Sequence, residues 1–261
     1  MRILLGISTI LAVAACGGDE EGGNGGSSGA AGTGGSGGTE PVVEPATMVQ
    51  LPAGFWIDST EVTRAQYRAW LQTKPTYGGQ PAECSWNDDY TPGCHWPAGE
   101  EPNHPVVCVD WCDAYAYCQG VGKRLCGKIG GGPNGIDDYA DATKSQWYYA
   151  CSSAGLYEYP YGNEYDPQAC NLEDAGLESM ASGGSFDRCV SSEPGFVGVF
   201  DLCGNVEEWV DSCVGTDGSD DGCRNEGGMF AFPGKGTDCS FGGAVKRDQK
   251  WAGLGFRCCR D

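Results

Sequence analysis

Histidine is nearly absent from this chain: His95 and His104 are the only two in 261 residues. Two imidazoles leave little room for a cysteine–histidine nucleophile or a hydroxyl–histidine–carboxylate triad, and the carboxylates are too numerous for an acid–base pair to stand out. Basic residues are also short, with 16 Lys and Arg against 36 Asp and Glu and a formal charge of −20. Nucleic acid and anionic lipid headgroups need Lys and Arg to displace counterions, so the balance excludes nucleic acid as a partner and favours calcium or a basic ligand. No C-x2-C pair occurs, which removes the usual zinc spacing. The stretch GVGKRL at 120–125 lacks the first glycine and the Ser/Thr of a phosphate-binding loop, and GGGPNG at 130–135 has no strand-to-helix frame. Nor does the apolar run at 3–13 reach the length that spans a bilayer.

That run, behind Met1 and Arg2, reads as a signal peptide and is excluded from the fold. Val13, Ala14 and Ala15 before Cys16 match a lipobox, in which Cys16 becomes the acylated first residue. Residues 1–16 are thus a lipoprotein signal peptide, and the expected location is an exported lipoprotein, held to the outer membrane or cell surface by its lipid. Residues 17–45 are a Gly/Ser-rich flexible tether, too polar to offset the entropy of ordering; its glycine-rich part reaches about 27 Å. Residues 46–261 remain for one globular domain.

Sixteen cysteines in an exported chain imply disulfides. With Cys16 lipidated the remainder is odd, so at least one thiol is free or bonded to another chain. Regular structure is sparse. Thr63 caps a helix with Gln66 three residues on, Val62 stapling Tyr67, and Tyr67, Trp70 and Leu71 sharing a face. Asp110 caps a second, with Trp111, Ala114, Tyr115 and Cys118 on one side and Gly120 as its stop. Thr143 with Gln146 marks a short third. Gly, Pro, Asn and Asp interrupt the rest every few residues, leaving loops and short strands around apolar runs such as GFVGVF.

The phrases FWIDSTEVTRAQYRAWL, HPVVCVDWCDAYAYCQGVGKRL, SQWYYAC, YPYGNE, GVFDLCGNVEEWV, the pair Gly227–Gly228 and GFRC at 255–258 stand in this order. Together they resemble the formylglycine-generating enzyme, or sulfatase-modifying factor, family from about residue 47 to the C-terminus. The resemblance implies an α+β fold related to C-type lectins, low in regular secondary structure and here disulfide-rich. It implies a structural calcium held by the Asp201 side chain, the Gly204 and Val206 carbonyls and the Glu208 carboxylate, with Glu207 facing solvent. Carboxylates and carbonyls from one bent segment suit that hard cation. A second calcium site would begin at Asn171 and Leu172. The resemblance also pairs Cys118 with Cys258. Cys126, Cys151 and Cys259 are candidates for a neighbouring bridge, and closeness in sequence suggests Cys84 with Cys94 and Cys213 with Cys223.

The family oxidises a peptide cysteine to formylglycine with oxygen, using copper(I) between two thiolates five residues apart; a soft ion needs soft donors. Cys239 stands at the second position, eight residues before Arg247. At the first stands Gly234 by spacing or Phe232 when aligned from the glycine pair, and neither binds copper. Glu226 and Met229 replace the usual arginine and serine. Cys239 keeps three readings: half of a structural disulfide, the odd free thiol, or a catalytic redox residue helped by another cysteine. The iron-dependent sulfoxide synthases of this superfamily need three histidines and are excluded. The sequence therefore points to a lipid-anchored binding or scaffold module with no copper centre, whose ligand is a protein, peptide or glycan. The alternative is an oxygen-dependent oxidoreductase acting on a protein cysteine or another thiol.

Overall fold

The computed structural model describes residues 46–96 and 101–261. The segments expected to be signal peptide and tether, residues 1–45 with Cys16, lie outside the described residues. In chain order the elements are β1 (Met48–Gln50), β2 (Trp56–Asp58), α1 (Arg64–Gln72), α2 (Trp111–Gly120), β3 (Arg124–Leu125), α3 (Gln146–Cys151), β4 (Glu207–Val214), β5 (Gly222–Glu226), β6 (Gly242–Lys246), β7 (Leu254–Phe256) and β8 (Cys258–Arg260). They form two four-stranded sheets, β1-β2-β8-β3 and β6-β5-β4-β7. The first is antiparallel throughout; in the second, β4 and β7 run parallel. Long loops supply much of the remainder, as the density of turn residues predicts. The run GFVGVF forms no strand: Phe200 makes one isolated bridge to Val190, and Val197 is exposed.

The first two helices start where their caps place them. Thr63 accepts from the Gln66 amide while Gln66 Oε1 accepts from the Thr63 amide, and Val62 and Tyr67 are both buried. Asp110 and Asp113 make the same reciprocal box on α2. On α2 Tyr117 is the buried tyrosine, stacked on Tyr67 at 5.5 Å, whereas Tyr115 is half-buried. Gly120 ends the helix from inside: a Cβ there would strike the Trp70 indole nitrogen. The third helix corrects the expectation. Its cap is Ser145, because Thr143 is drawn into an Asx turn by the Asp141 carboxylate.

Seven disulfides cross the described residues: Cys84–Cys112, Cys94–Cys108, Cys118–Cys258, Cys126–Cys259, Cys151–Cys239, Cys170–Cys189 and Cys213–Cys223. The pairing of Cys84 with Cys94 is wrong: each reaches instead to the entry of α2, at Cys112 and Cys108. Cys118–Cys258 and Cys213–Cys223 form as expected, the latter directly across β4 and β5. Successive strand residues face opposite sides, and β8 uses this. Cys258 joins the buried cluster of Tyr67, Trp111 and Trp209, while Cys259 joins that of Phe55, Trp147 and Leu202. One short strand is thereby cross-linked into both halves of the core. Among the described residues the free cysteine is Cys203, which is buried.

Candidate functional site

Strand alternation also governs the acidic segment before and within β4. Glu208 points to one side of the sheet and Glu207 to the other. Glu208 meets Arg257, which follows Phe256 at the end of β7: Arg257 Nη2 donates to Oε1 at 2.6 Å, and Nε approaches both oxygens at 2.8 and 2.9 Å. The Trp147 indole donates to Oε2 at 2.9 Å. Arg257 is fully buried, and its Nη1 and Nη2 also donate to the carbonyls of Asp58 and Phe200. A guanidinium so enclosed offsets its lost hydration through these acceptors.

Two further carboxylates crowd the same place. Asp201, in left-handed backbone geometry (φ 59°), accepts from the Gly184 amide. Glu61 accepts from Asn205 Nδ2 through Oε1, and its buried Oε2 has no partner. Burial lifts Asp201 to about 6 and Glu61 well above the usual carboxylate range, the latter aided by the Asp201 charge. Asn205 links this group to Asn171, whose Nδ2 donates to Asn205 Oδ1 and to the Ser179 carbonyl. Asn171 Oδ1 is likewise buried without a partner, and Leu172 packs in the core.

Three buried carboxylates therefore face one guanidinium, and two oxygen acceptors beside them are unsatisfied. Oxygen donors of this kind are the ones a hard cation takes. Glu208 is committed to Arg257 and Trp147, so the fit rests chiefly on Asp201 and on the unsatisfied oxygens of Glu61 and Asn171. Arg257, Trp147 and Glu61 all lie inside the motif phrases, yet no spacing rule marks them as partners of Glu208.

Glu207, expected from the sequence to face solvent, is instead buried, 6 % exposed. It lies on the Trp209 side of β4, accepting from Asn225 Nδ2 and the Trp251 indole at 3.0 Å each. Burial raises it to about 7, which the Trp251 bond only partly opposes.

The copper position does not fit copper. Cys239 is bonded to Cys151, the last residue of α3. A Cβ at Gly234 would collide with the Tyr165 hydroxyl, and Phe232 stands edge-on to Phe241 with centroids 5.6 Å apart. Cys203 adds a third sulfur. Its Sγ lies 3.9 Å from Cys151 Sγ, and the three sulfurs lie within 4.8 Å of one another, all buried. The pocket thus contains more sulfur than the copper spacing alone indicates. Burial, then the nearby Asp238 and Glu208 charges, push the Cys203 thiol well above its ordinary range. His104 sits beside Glu101 (3.4 Å), and burial lowers its pKa.

The profile of the Sulfatase-modifying factor enzyme 1-like domain matches residues 16–261. The formylglycine-generating enzyme of Thermomonospora curvata is 31% identical over 138 residues, covering 45% of this chain and 39% of that protein. The Inactive C-alpha-formylglycine-generating enzyme 2 of Mus musculus is 27% identical over 213 residues, covering 64% of this chain and 60% of that protein. The matched region therefore spans 39% and 60% of the length of these relatives, less than two thirds of either. Among solved structures, CarF superposes with a TM-score of 0.53 at 19% identity, over 79% of this chain and 85% of that one. PvdO from Pseudomonas aeruginosa gives 0.52 at 22%, over 79% and 80%. Both likenesses concern the fold alone.

Proposed function

Because the chain belongs to the sulfatase-modifying factor family, we propose that it is a non-catalytic member, an exported and lipid-anchored module that binds a protein, peptide or glycan. The observation that carries this is the Cys151–Cys239 bridge. A sulfur in a disulfide is neither a thiolate ligand nor a nucleophile, and the neighbouring first position offers Phe232 or Gly234. The likeness to a mouse relative named inactive supports the same reading. Seven disulfides belong to an oxidising, extracytoplasmic compartment; no helix among the described residues is long and apolar enough to cross a membrane. Anchoring through Cys16 is part of the proposal, as is placement at the outer membrane or cell surface. The purified protein, given copper(I) and a cysteine peptide, is expected to retain no copper against a chelator and to consume no oxygen. Tight stoichiometric copper with oxygen uptake would overturn the reading.

A second reading, an oxidoreductase acting on a protein cysteine or another thiol, draws on Cys203. If an external dithiol reduced the bridge, three thiols would stand in one buried cluster. Thiol-dependent oxygen uptake by the bridge-reduced protein that disappears in Cys203→Ser would favour it.

We also propose the calcium site that the resemblance implies, with Asp201 as its chief side-chain ligand, the Glu208 carboxylate shared with Arg257, and the Gly204 and Val206 carbonyls beside them. Asn171 and Leu172 begin the second proposed site. A site of about 10 μM affinity in millimolar calcium adds roughly 2.7 kcal/mol of stability. The melting temperature is expected to fall when calcium is chelated and to recover on its return; indifference to chelator would remove the ion from the account.

A further inference from the structure

Glu207 is a carboxylate without a counter-ion. Its two hydrogen-bond donors, the Asn225 amide and the Trp251 indole, are neutral. Asn225 is fixed in turn, because its Oδ1 accepts from the Gly243 amide at 3.0 Å. The cations of the surrounding strands and loops are engaged elsewhere: Arg224 with Glu226, Lys246 with Asp220, Arg247 with Asp221, and Lys250 with Asp110 and Asp113. Among the described residues no ion pair reaches Glu207.

This carboxylate lines an open cavity of about 370 Å³. Around it stand Asn225, Met229, Phe232, Phe241 and Trp251, the last four half-buried. The edge strand β6 contributes only Gly242, Gly243, Ala244 and Val245, so small residues keep the mouth clear. Met229 and Phe232 are two of the departures from the family pattern around Cys239, and here they form wall rather than chemistry. A buried anion with spare lone pairs and aromatic and thioether surroundings matches a cation on an apolar stem. The carboxylate accepts its N–H groups, and the walls cover the methylenes.

We propose that this pocket binds an alkylammonium group of the lysine type, with Glu207 as its counter-ion and Phe232, Phe241 and Trp251 around its stem. The proposal deepens the reading of the chain as a binding module. Its failure is separable from that reading's failure, since oxidase activity in the copper assay would overturn the reading whatever binds here.

The test uses the mature chain, titrated with Nα-acetyl-lysine methylamide, its uncharged norleucine counterpart and choline. Binding is read from the Trp251 indole N–H resonance, which reports the bond to Glu207. A saturable shift is expected with the lysine compound and not with norleucine. Glu207→Gln is expected to bind about tenfold or more weakly, the scale of a lost charge-assisted contact. Phe241→Ala, at a half-buried ring outside the Glu207 hydrogen bonds, should also weaken binding and guards against a folding defect in the first variant. The proposal fails if norleucine binds equally, if no saturable shift occurs up to about 10 mM, or if folded Glu207→Gln binds as well as the parent. Tighter binding of choline than of lysine overturns the lysine-type assignment.

Discussion

Replacing Arg257 by leucine is expected to lower the unfolding free energy by about 3–5 kcal/mol, the range for breaking a buried ion pair from one side. For a domain of this size that is a fall of roughly 6–20 °C in melting temperature. The loss comes less from the missing bonds than from what remains: Glu208, Asp201 and Glu61 would share a buried site with no guanidinium among them. Arg257→Lys should recover only part, since one ammonium cannot reproduce three interactions with Glu208 together with the bonds to the Asp58 and Phe200 carbonyls. The double variant Arg257→Leu/Glu208→Leu should be less destabilised than the two single losses added together, because no unpaired member of the pair is left behind. Additive losses in thermal or urea unfolding would show that the pair is not coupled.

The second large effect concerns the two bridges that end on β8. Cys118–Cys258 and Cys126–Cys259 span 140 and 133 residues, yet their ends lie eight residues apart on one side and adjacent on the other. While either bridge remains, the long loop stays closed, and the other constrains only a circuit of about nine residues. Chain entropy then assigns each single removal about 2.6 kcal/mol and, because Cys151–Cys239 shortens the long loop to a circuit of roughly 50 residues, removal of both about 6–7 kcal/mol. The paired Cys→Ala variants are thus expected to be strongly non-additive, with the four-alanine chain losing more than the sum of the two single-bridge losses. By contrast, Cys213–Cys223, with a separation of 10 on adjacent strands, should cost about 2.7 kcal/mol and add independently. Simple additivity of the two β8 bridges in urea unfolding would contradict this account of how they act.

Much of this arrangement is legible in the sequence where a local rule applies. The capping boxes at Thr63 and Asp110 depend on residues three apart, and both form. With Cys16 set aside for lipidation, as proposed, fifteen cysteines leave one thiol over without revealing which; among the described residues the free one is Cys203, inside the phrase GVFDLCGNVEEWV. Closeness in sequence finds Cys213–Cys223 because a hairpin places those residues opposite each other. It fails for Cys84 and Cys94 because both lie in loops whose partners, Cys112 and Cys108, are chosen by the docking of α2. Thr143 misleads because Asp141, two residues earlier, competes for it.

What sequence could not supply are contacts made across long separations. The resemblance gives Glu208 as a calcium ligand and says nothing of Arg257, the partner it meets from 49 residues away. Glu207 reads as solvent-facing beside a ligating Glu208, yet it is held beneath the Asn225 and Trp251 side chains. Cys239 keeps its several meanings until α3 brings Cys151 against it.

The proposed lack of an oxidase centre depends on that last contact, and a mass-spectrometric map of the untreated protein, unfolded in acid with alkylation of free thiols, tests it directly. The account predicts a cross-linked peptide joining Cys151 to Cys239, with Cys203 the alkylated thiol. Recovery of Cys239 as a free, alkylated cysteine would contradict it.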